Sequence, residues 1–322
     1  MSLQASAAVA PSSSPSFAAE ARAGLTGNGQ KSMPPKYFYD PVGSALFEAI
    51  TQLPEYGLWR AERRLFETHA AQIATLAPAT TVIEFGSGSA AKTALLLRAL
   101  LRQRRVTYCA IDVSTAALEM TRNELAGLAG LRVRTLESEY LPGLDTAVQA
   151  RIAPSPALVL LLGSSLGNLD FSASVRFLRH VRAALQPGDH LLLGADLVKP
   201  EPHLIAAYDD AQGVTAAFNL NLLARMNREL GTDFALTQFQ HRVCFNRATH
   251  DVEMYLESLV EQTVRFADFT VTFRAGETIH TESSHKYSLA ELDRLEDNCG
   301  FRTIMRWVDS EGQFASSLSV FV

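Results

Sequence analysis

Hydrophobic and polar positions follow two different rhythms along this chain. Between residues 81 and 195, short apolar runs recur: TVIEF (81–85), VTYCAI (106–111), LRVRTL (131–136), ALVLLL (157–162) and HLLLGA (190–195). Stretches with helical spacing separate them, at Lys92–Arg102, Thr115–Leu128 and Ser172–Leu185. Mostly apolar runs alternating with helices predict a parallel sheet covered on both faces. The right-handed crossover rule then makes a doubly wound α/β sheet the expected arrangement. Upstream, Ser44–Ile50 places Leu46, Phe47 and Ile50 on one helical face, residues 53–60 read as a turn-like break, and Ala61–Leu76 is helical again.

After Asp196 the rhythm changes. Leu204–Leu230 reads as one long helical region, and residues 240–275 read as antiparallel strands with a hairpin link at Asn246–Asp251. This suits an α+β insertion of about 90 residues, a size that fits a small domain. Ser288–Asp297 reads as a helix, capped by Ser288 with Glu291 three residues on, and Gly300 marks its end. Residues 301–308 and 315–322 read as a closing strand pair. Residues 1–32, rich in Ala, Ser, Pro and Gly, read as a flexible tail.

Composition narrows the class. Of 322 residues, 47% are hydrophobic and 20% charged, enough for a large core. With 29 basic against 34 acidic residues the net charge is −5, which argues against a nucleic-acid partner. No apolar run approaches the ~18 residues of a membrane span. Cys109, Cys244 and Cys299 lie far apart, as reduced thiols do in a cytoplasmic protein, and no secretory signal precedes them. The eight histidines form no ligand cluster, so no metal is expected.

The first strand runs into Glu84-Phe85-Gly86-Ser87-Gly88 and then a helix start at Lys92. A strand, a Gly turn and a helix bring backbone close to a ligand at the carboxyl edge of a sheet, although a tight structural turn has the same signature. Asp112, at the tip of the next strand, can accept hydrogen bonds from two ribose hydroxyls or cap the following helix. Glu139 and Tyr140 follow the third strand, where they can meet an adenine edge and face. Glu84, an acid in an apolar strand, needs a partner. The third Gly of a dinucleotide fingerprint is absent. Together these favour S-adenosyl-L-methionine over a nicotinamide cofactor. Lys92 is either a partner for the methionine carboxylate or a solvated helix residue.

Several longer motifs resemble the bacterial L-histidine Nα-methyltransferase family of ergothioneine biosynthesis: YFYDPVGSALFEAITQLPEY (37–56), EFGSGSAAKT (84–93), DVS (112–114), LGSSLGN (162–168), AYDDAQGVTAAFN (207–219), VEMYL (252–256) and HTESSHKY (280–287). The resemblance runs from about residue 35 onward. It implies a Rossmann-like S-adenosylmethionine-dependent methyltransferase core at 63–197, completed by 287–322. An N-terminal segment at 33–62 and an inserted substrate-binding domain at 198–286 complete the expected layout.

The resemblance also implies roles. Asn168 would hold the α-amine and α-carboxylate, and Tyr208 the carboxylate. Glu282 and Ser284, which share a strand face, would clamp the imidazole, with Ser283 between them. Tyr56 and Met254 would line the pocket, and Tyr39 would lie near the amine and the cofactor. The implied reaction is three direct, in-line methyl transfers to the neutral α-amine of L-histidine, giving trimethylhistidine (hercynine). A monomer handling histidine and its methylated forms is expected. The sequence departs from the family at Gly57-Leu58-Trp59, at Ser283 and at His285, all expected to border the imidazole pocket. Two rival readings keep different parts of this picture: an Nα-methyltransferase for another amine such as tryptophan, and a non-catalytic metabolite-binding relative. Gly163-Ser164-Ser165-Leu166-Gly167 also fits a hydrolase nucleophile elbow, but belongs to the family motif as well.

Overall fold

A computed structural model describes residues 16–149, 151 and 155–321. Helix α1 (Phe17–Thr26) and a two-residue strand β1 (Lys31–Ser32) open it, followed by α2 (Pro41–Gln52) and α3 (Gly57–Leu76). Then come β2 (Thr81–Phe85), α4 (Thr93–Leu101), β3 (Val106–Asp112), α5 (Thr115–Leu125), β4 (Leu131–Glu137), α6 (Tyr140–Gln149), β5 (Ala157–Leu161), α7 (Phe171–Ala184) and β6 (His190–Asp196). A second set follows: α8 (Glu201–Tyr208), α9 (Val214–Leu230), β7 (Phe239–Asn246), β8 (Asp251–Ser258), β9 (Gln262–Arg265), β10 (Thr270–Phe273) and β11 (Thr278–His285). Helix α10 (Leu289–Asn298), β12 (Phe301–Asp309) and β13 (Phe314–Phe321) close the described chain.

The larger sheet has seven strands in the order β12-β13-β6-β5-β2-β3-β4. Strands β2 to β6 are parallel, and β13 runs antiparallel between β6 and β12. Every residue of β2, β3, β5 and β6 is buried, which explains their unbroken apolar runs, whereas the edge strand β4 is half-exposed. The strand order reverses beside β2, which lies between β3 and β5. Ligands of doubly wound sheets sit at the carboxyl ends next to such a reversal.

A second, four-stranded sheet has the order β1-β11-β8-β7. Its β8 alternates half-buried and buried residues, with Val252, Met254 and Leu256 facing inward. The helical region expected as one unit is two helices. They break at Asp209–Gly213, where the Asp210 carboxylate accepts from the amides of Val214 and Thr215 (3.0 and 2.7 Å) and Gly213 takes φ +73°. Short polar side chains start several other helices. Asp40, Ser114 and Asp170 each accept an amide hydrogen at an N-terminus, and Ser288 and Glu291 form the expected capping box.

The expected flexible tail is corrected over its second half, its first 15 residues lying outside the described chain. Ala21 and Leu25 of α1 are buried, Phe17 stacks on Tyr37 at 4.1 Å between centroids, and β1 pairs in parallel with β11. The low-complexity composition hid two buried apolar positions four residues apart on one helical face. The break expected at 53–60 is also shorter, because α3 begins at Gly57.

Helix α1 meets β1 at Gly24, where a β-carbon would fall 2.1 Å from the Ser32 carbonyl oxygen. Gly24→Ala is therefore expected to push α1 off the sheet and cost about 1–3 kcal/mol. Limited proteolysis should then cut before Met33 faster than in the parent chain. An unchanged cleavage pattern and melting temperature would show that α1 does not depend on this contact.

Candidate active site

A cavity of about 620 Å³ lies at the carboxyl ends of β2, β3 and β5, within the range of about 300–1,000 Å³ usual for small-molecule sites. Its floor is the turn after β2. Gly86 and Gly88 have φ of +66° and +51°, which L side chains rarely adopt, and a β-carbon on Gly86 would sit 2.7 Å from the Tyr140 hydroxyl. Asp112 braces this turn. Its Oδ2 accepts from the Gly88 amide (3.3 Å) and its Oδ1 from the Ser114 amide (2.9 Å). The helix cap is Ser114, not Asp112. Burial pushes the Asp112 carboxyl above its ordinary value, against the pull of these amides.

Glu84 lines the cavity from within β2, with its oxygens held by the Tyr108 hydroxyl and by Thr93 Oγ1 (2.8 Å). Burial pushes its pKa up to about 7, only partly offset by those two donors. Lys92 also lines the cavity, but its ammonium is paired with the buried Glu62 of α3. Glu62 accepts the Gly163 amide on both oxygens as well (3.1 and 3.0 Å). Lys92 is thus neither a solvated helix residue nor an unpaired cation; it ties α3 to the loop after β5. Glu139 and Tyr140 line the cavity too. Lys36 donates to Glu139 (2.7 Å) and to Glu20 of α1 (3.0 Å), so the N-terminal segment is bridged to the cavity wall. The Tyr140 ring packs against Phe85 and Phe177, with its hydroxyl beneath Gly86.

A smaller polar chamber opens from this cavity, and Tyr39, Phe47, Tyr56, Gly163, Ser165 and Asn168 line both. The second sheet and its helices add Tyr208, Phe218, Met254, Glu282 and Ser284. Asn168 ends a single helical turn after β5 and donates from Nδ2 to Glu282 Oε1 at 3.0 Å. Burial pushes Glu282 up to about 7, against the pull of Lys286 and Asn168. Tyr39, Tyr56 and Tyr208 are all raised well above the ordinary phenol range, first by burial and then by neighbouring groups that include the Glu282 charge. They are neutral phenols at physiological pH, able to donate or relay but not to act as standing bases.

Of the residues singled out from sequence, Tyr39, Tyr56, Asn168, Tyr208, Met254, Glu282 and Ser284 meet in this chamber. Ser283 does not, which corrects the expectation for it. Strand alternation sends it to the other face, where His280 Nε2 lies 2.9 Å from its hydroxyl. His285 likewise points away, with its Nδ1 against Asp251 at 2.8 Å. At the third departure, Leu58 and Trp59 reach the larger cavity, but Gly57 lines neither space. The Ser165 hydroxyl donates to the Leu162 carbonyl (2.9 Å), and among the described residues no histidine hydrogen-bonds it as a hydrolase nucleophile would need. Sequence reading missed Glu62 and the fully buried Lys286, whose ammonium donates to the Tyr208 and Ser284 hydroxyls (both 2.8 Å). The alternation that puts Glu282 and Ser284 on one face extends by one step to Lys286 and was the available signal.

A doubly wound sheet with a glycine-floored cavity at its strand reversal, opening into a chamber built by a second sheet, defines a Rossmann-like S-adenosylmethionine-dependent methyltransferase. Residues 17–320 match the model of the histidine-specific, SAM-dependent methyltransferase family, and the chain belongs to that family. A histidine N-alpha-methyltransferase of Mycolicibacterium smegmatis is 40% identical over 308 residues, 94% of each chain. One of Mycobacterium tuberculosis is 38% identical over 293 residues, 90% of each chain. An L-tryptophan methyltransferase of Psilocybe serbica is 24% identical over 318 residues, 89% of this chain and 87% of its own.

The raised pKa of Glu84 has a measurable sign. A carboxyl at about 7 in the folded state and 4.5 ordinarily favours folding below pH 4.5, and that contribution is lost as pH rises through 7. Glu84→Gln removes the ionisation. The melting temperature of the variant relative to the parent should therefore increase as pH goes from about 5 to about 8. A difference that stays flat across that window would contradict the raised value.

Proposed function

We propose that this enzyme transfers methyl groups from S-adenosylmethionine to the α-amine of L-histidine, in three rounds that end at trimethylhistidine. The observation that carries the reading is the Asn168–Glu282 pair in a chamber that opens directly on the cofactor-sized cavity. The sulfonium cofactor supplies an electrophilic methyl group. The residues around the cavity fit its parts. Gly86 and Gly88 allow backbone to approach it, and Asp112 stands where a ribose would be met. Glu139 and Tyr140 flank the adenine side, and Glu84 and Lys92 the methionine side.

In the chamber, Asn168 offers both a donor and an acceptor, which suits an α-amine and an α-carboxylate. Tyr208, expected at the carboxylate, has its hydroxyl turned to Ser284 Oγ (2.8 Å). Glu282 and Ser284 face the side chain, with Tyr56 and Met254 closing around it. Among the described residues, Asn168 is the one side chain that hydrogen-bonds Glu282. A buried carboxyl so thinly satisfied is stabilised by a ring N–H, and an aliphatic side chain would leave its second oxygen without a donor at a cost of about 1–3 kcal/mol.

Catalysis on this reading is chiefly alignment of nitrogen, methyl carbon and sulfur. Because the three tyrosines stay protonated, the amine proton leaves to solvent, with Tyr39 as a relay. Tyr39, Phe47 and Phe218 pack at 5.6–6.0 Å between centroids, and such rings tolerate the permanent cation that the third transfer creates.

The test is calorimetric titration of histidine into protein preloaded with S-adenosylhomocysteine, with mass spectrometry of a turnover mixture. Histidine binding and a product heavier by three CH2 units, one for each methyl that replaces a proton, are expected. Absence of histidine binding would overturn the reading. Glu282→Ala should weaken histidine binding by about 10- to 100-fold, with S-adenosylhomocysteine affinity unchanged.

A further inference from the structure

Lys286 follows β11 and is completely buried. Its Nζ donates to Tyr208 Oη and to Ser284 Oγ, both at 2.8 Å, and faces Asp196 Oδ2 at 3.2 Å. An ammonium has three N–H donors and no acceptor; two of them serve the hydroxyls, and the charge is paired with Asp196. Asp196 does not depend on Lys286 alone, since its Oδ1 lies 2.6 Å from Lys199 Nζ. The Tyr208 and Ser284 oxygens are themselves 2.8 Å apart, so the ammonium and the two hydroxyls form a closed triangle.

The protons in that triangle can be counted. Each hydroxyl oxygen already accepts a hydrogen from Lys286. One hydroxyl proton fills the contact between Tyr208 and Ser284. The receiving oxygen then accepts twice, from Lys286 and from its neighbour, and its own proton has no partner within the triangle. Both hydroxyls line the chamber, so that proton is presented there. Tyr208 donates to Ser284 Oγ, so Ser284 is the receiver: an oxygen saturated as an acceptor and able only to donate. Glu282, on the same face of β11, provides the opposite character, an acceptor.

We propose that Lys286 is a positioning residue that forces the Tyr208–Ser284 pair to act as a donor, so that the chamber selects a ring with one N–H and one bare nitrogen, which is neutral imidazole. This deepens the histidine reading and rests on it. An imidazolium offers two N–H groups and no acceptor, and an indole offers one N–H and no acceptor. Each would set a donor against a donor, which is rejection built from a misplaced proton. Lys286 acts through the hydroxyls rather than on the reacting nitrogen, so its loss should appear in KM before kcat.

The experiment compares steady-state kinetics of the full chain and of Lys286→Met, Ser284→Ala and their combination. The substrates are histidine and the two pyrrolylalanines, which keep a ring N–H but replace the bare nitrogen with C–H. The parent enzyme should prefer histidine strongly. Lys286→Met should raise KM for histidine about 10- to 100-fold with kcat nearly unchanged, and should shrink the preference over the pyrroles by a similar factor. The double variant should be little worse than the worse single one, because both changes remove the same directed contact. A preference that survives Lys286→Met intact, or losses that multiply in the double variant, would overturn the proposal.

Titration with S-adenosylhomocysteine shows whether each variant is folded. If Lys286→Met is not, Lys286→Leu, which likewise offers no N–H donor, takes its place, and an undiminished preference there overturns the proposal equally. Failure of the parent enzyme to use histidine would instead overturn the functional reading itself.

Discussion

The backbone of β11 passes so close to Gly167 that a β-carbon there would lie 2.9 Å from the His285 carbonyl oxygen and 3.1 Å from its nitrogen. The rest of the site depends on this approach. It brings the turn after β5, which belongs to the large sheet, against a strand of the small one. Asn168, the next residue, can therefore reach Glu282. Lys286, just past β11, can reach Asp196 at the end of β6. A register shift in β11 between His280 and Glu282 re-aims the strand at this seam. Bulges of this kind commonly redirect a side chain beside a functional pocket.

Two carboxyls, Glu84 and Glu282, are pushed to about 7 by the same cause, burial, yet their surroundings give them different capacities. Donors from Tyr108 and Thr93 hold the two oxygens of Glu84, so its main work is to lock β2 to β3 and to α4. Glu282 has one amide donor on one oxygen. That difference separates an acid fully held by the protein from one with an oxygen left for a ligand, and it comes from the neighbouring side chains rather than from the acids themselves.

The sequence made the large sheet legible because its central strands are buried on both faces and so are apolar throughout. TVIEF matches β2 at both ends, and β3 and β4 each run only one residue past their expected limits. The chamber residues were legible through family motifs, since a lone Tyr208 or Glu282 carries no signal of what it will face. Ser283 was misassigned because its neighbours on both sides face the chamber and alternation was not applied to it. Lys92 was read as available because its partner, Glu62, comes from a helix 30 residues earlier that no local pattern connects to it. Helix α1 escaped because two buried residues in a run of Ala, Gly and Ser leave little hydrophobic contrast.

The position of β13 bears on how the chain is made. This strand lies between β6 and β12, and through β6 it completes the sheet. The 117 residues from Leu197 to Gln313 must be synthesised before it begins, which takes about 6–23 s at about 5–20 residues per second. During that interval the HLLLGAD strand has an open edge, in a form that invites pairing with another chain. On the ribosome, the large sheet thus stays unfinished until the whole insertion that builds the chamber has been made.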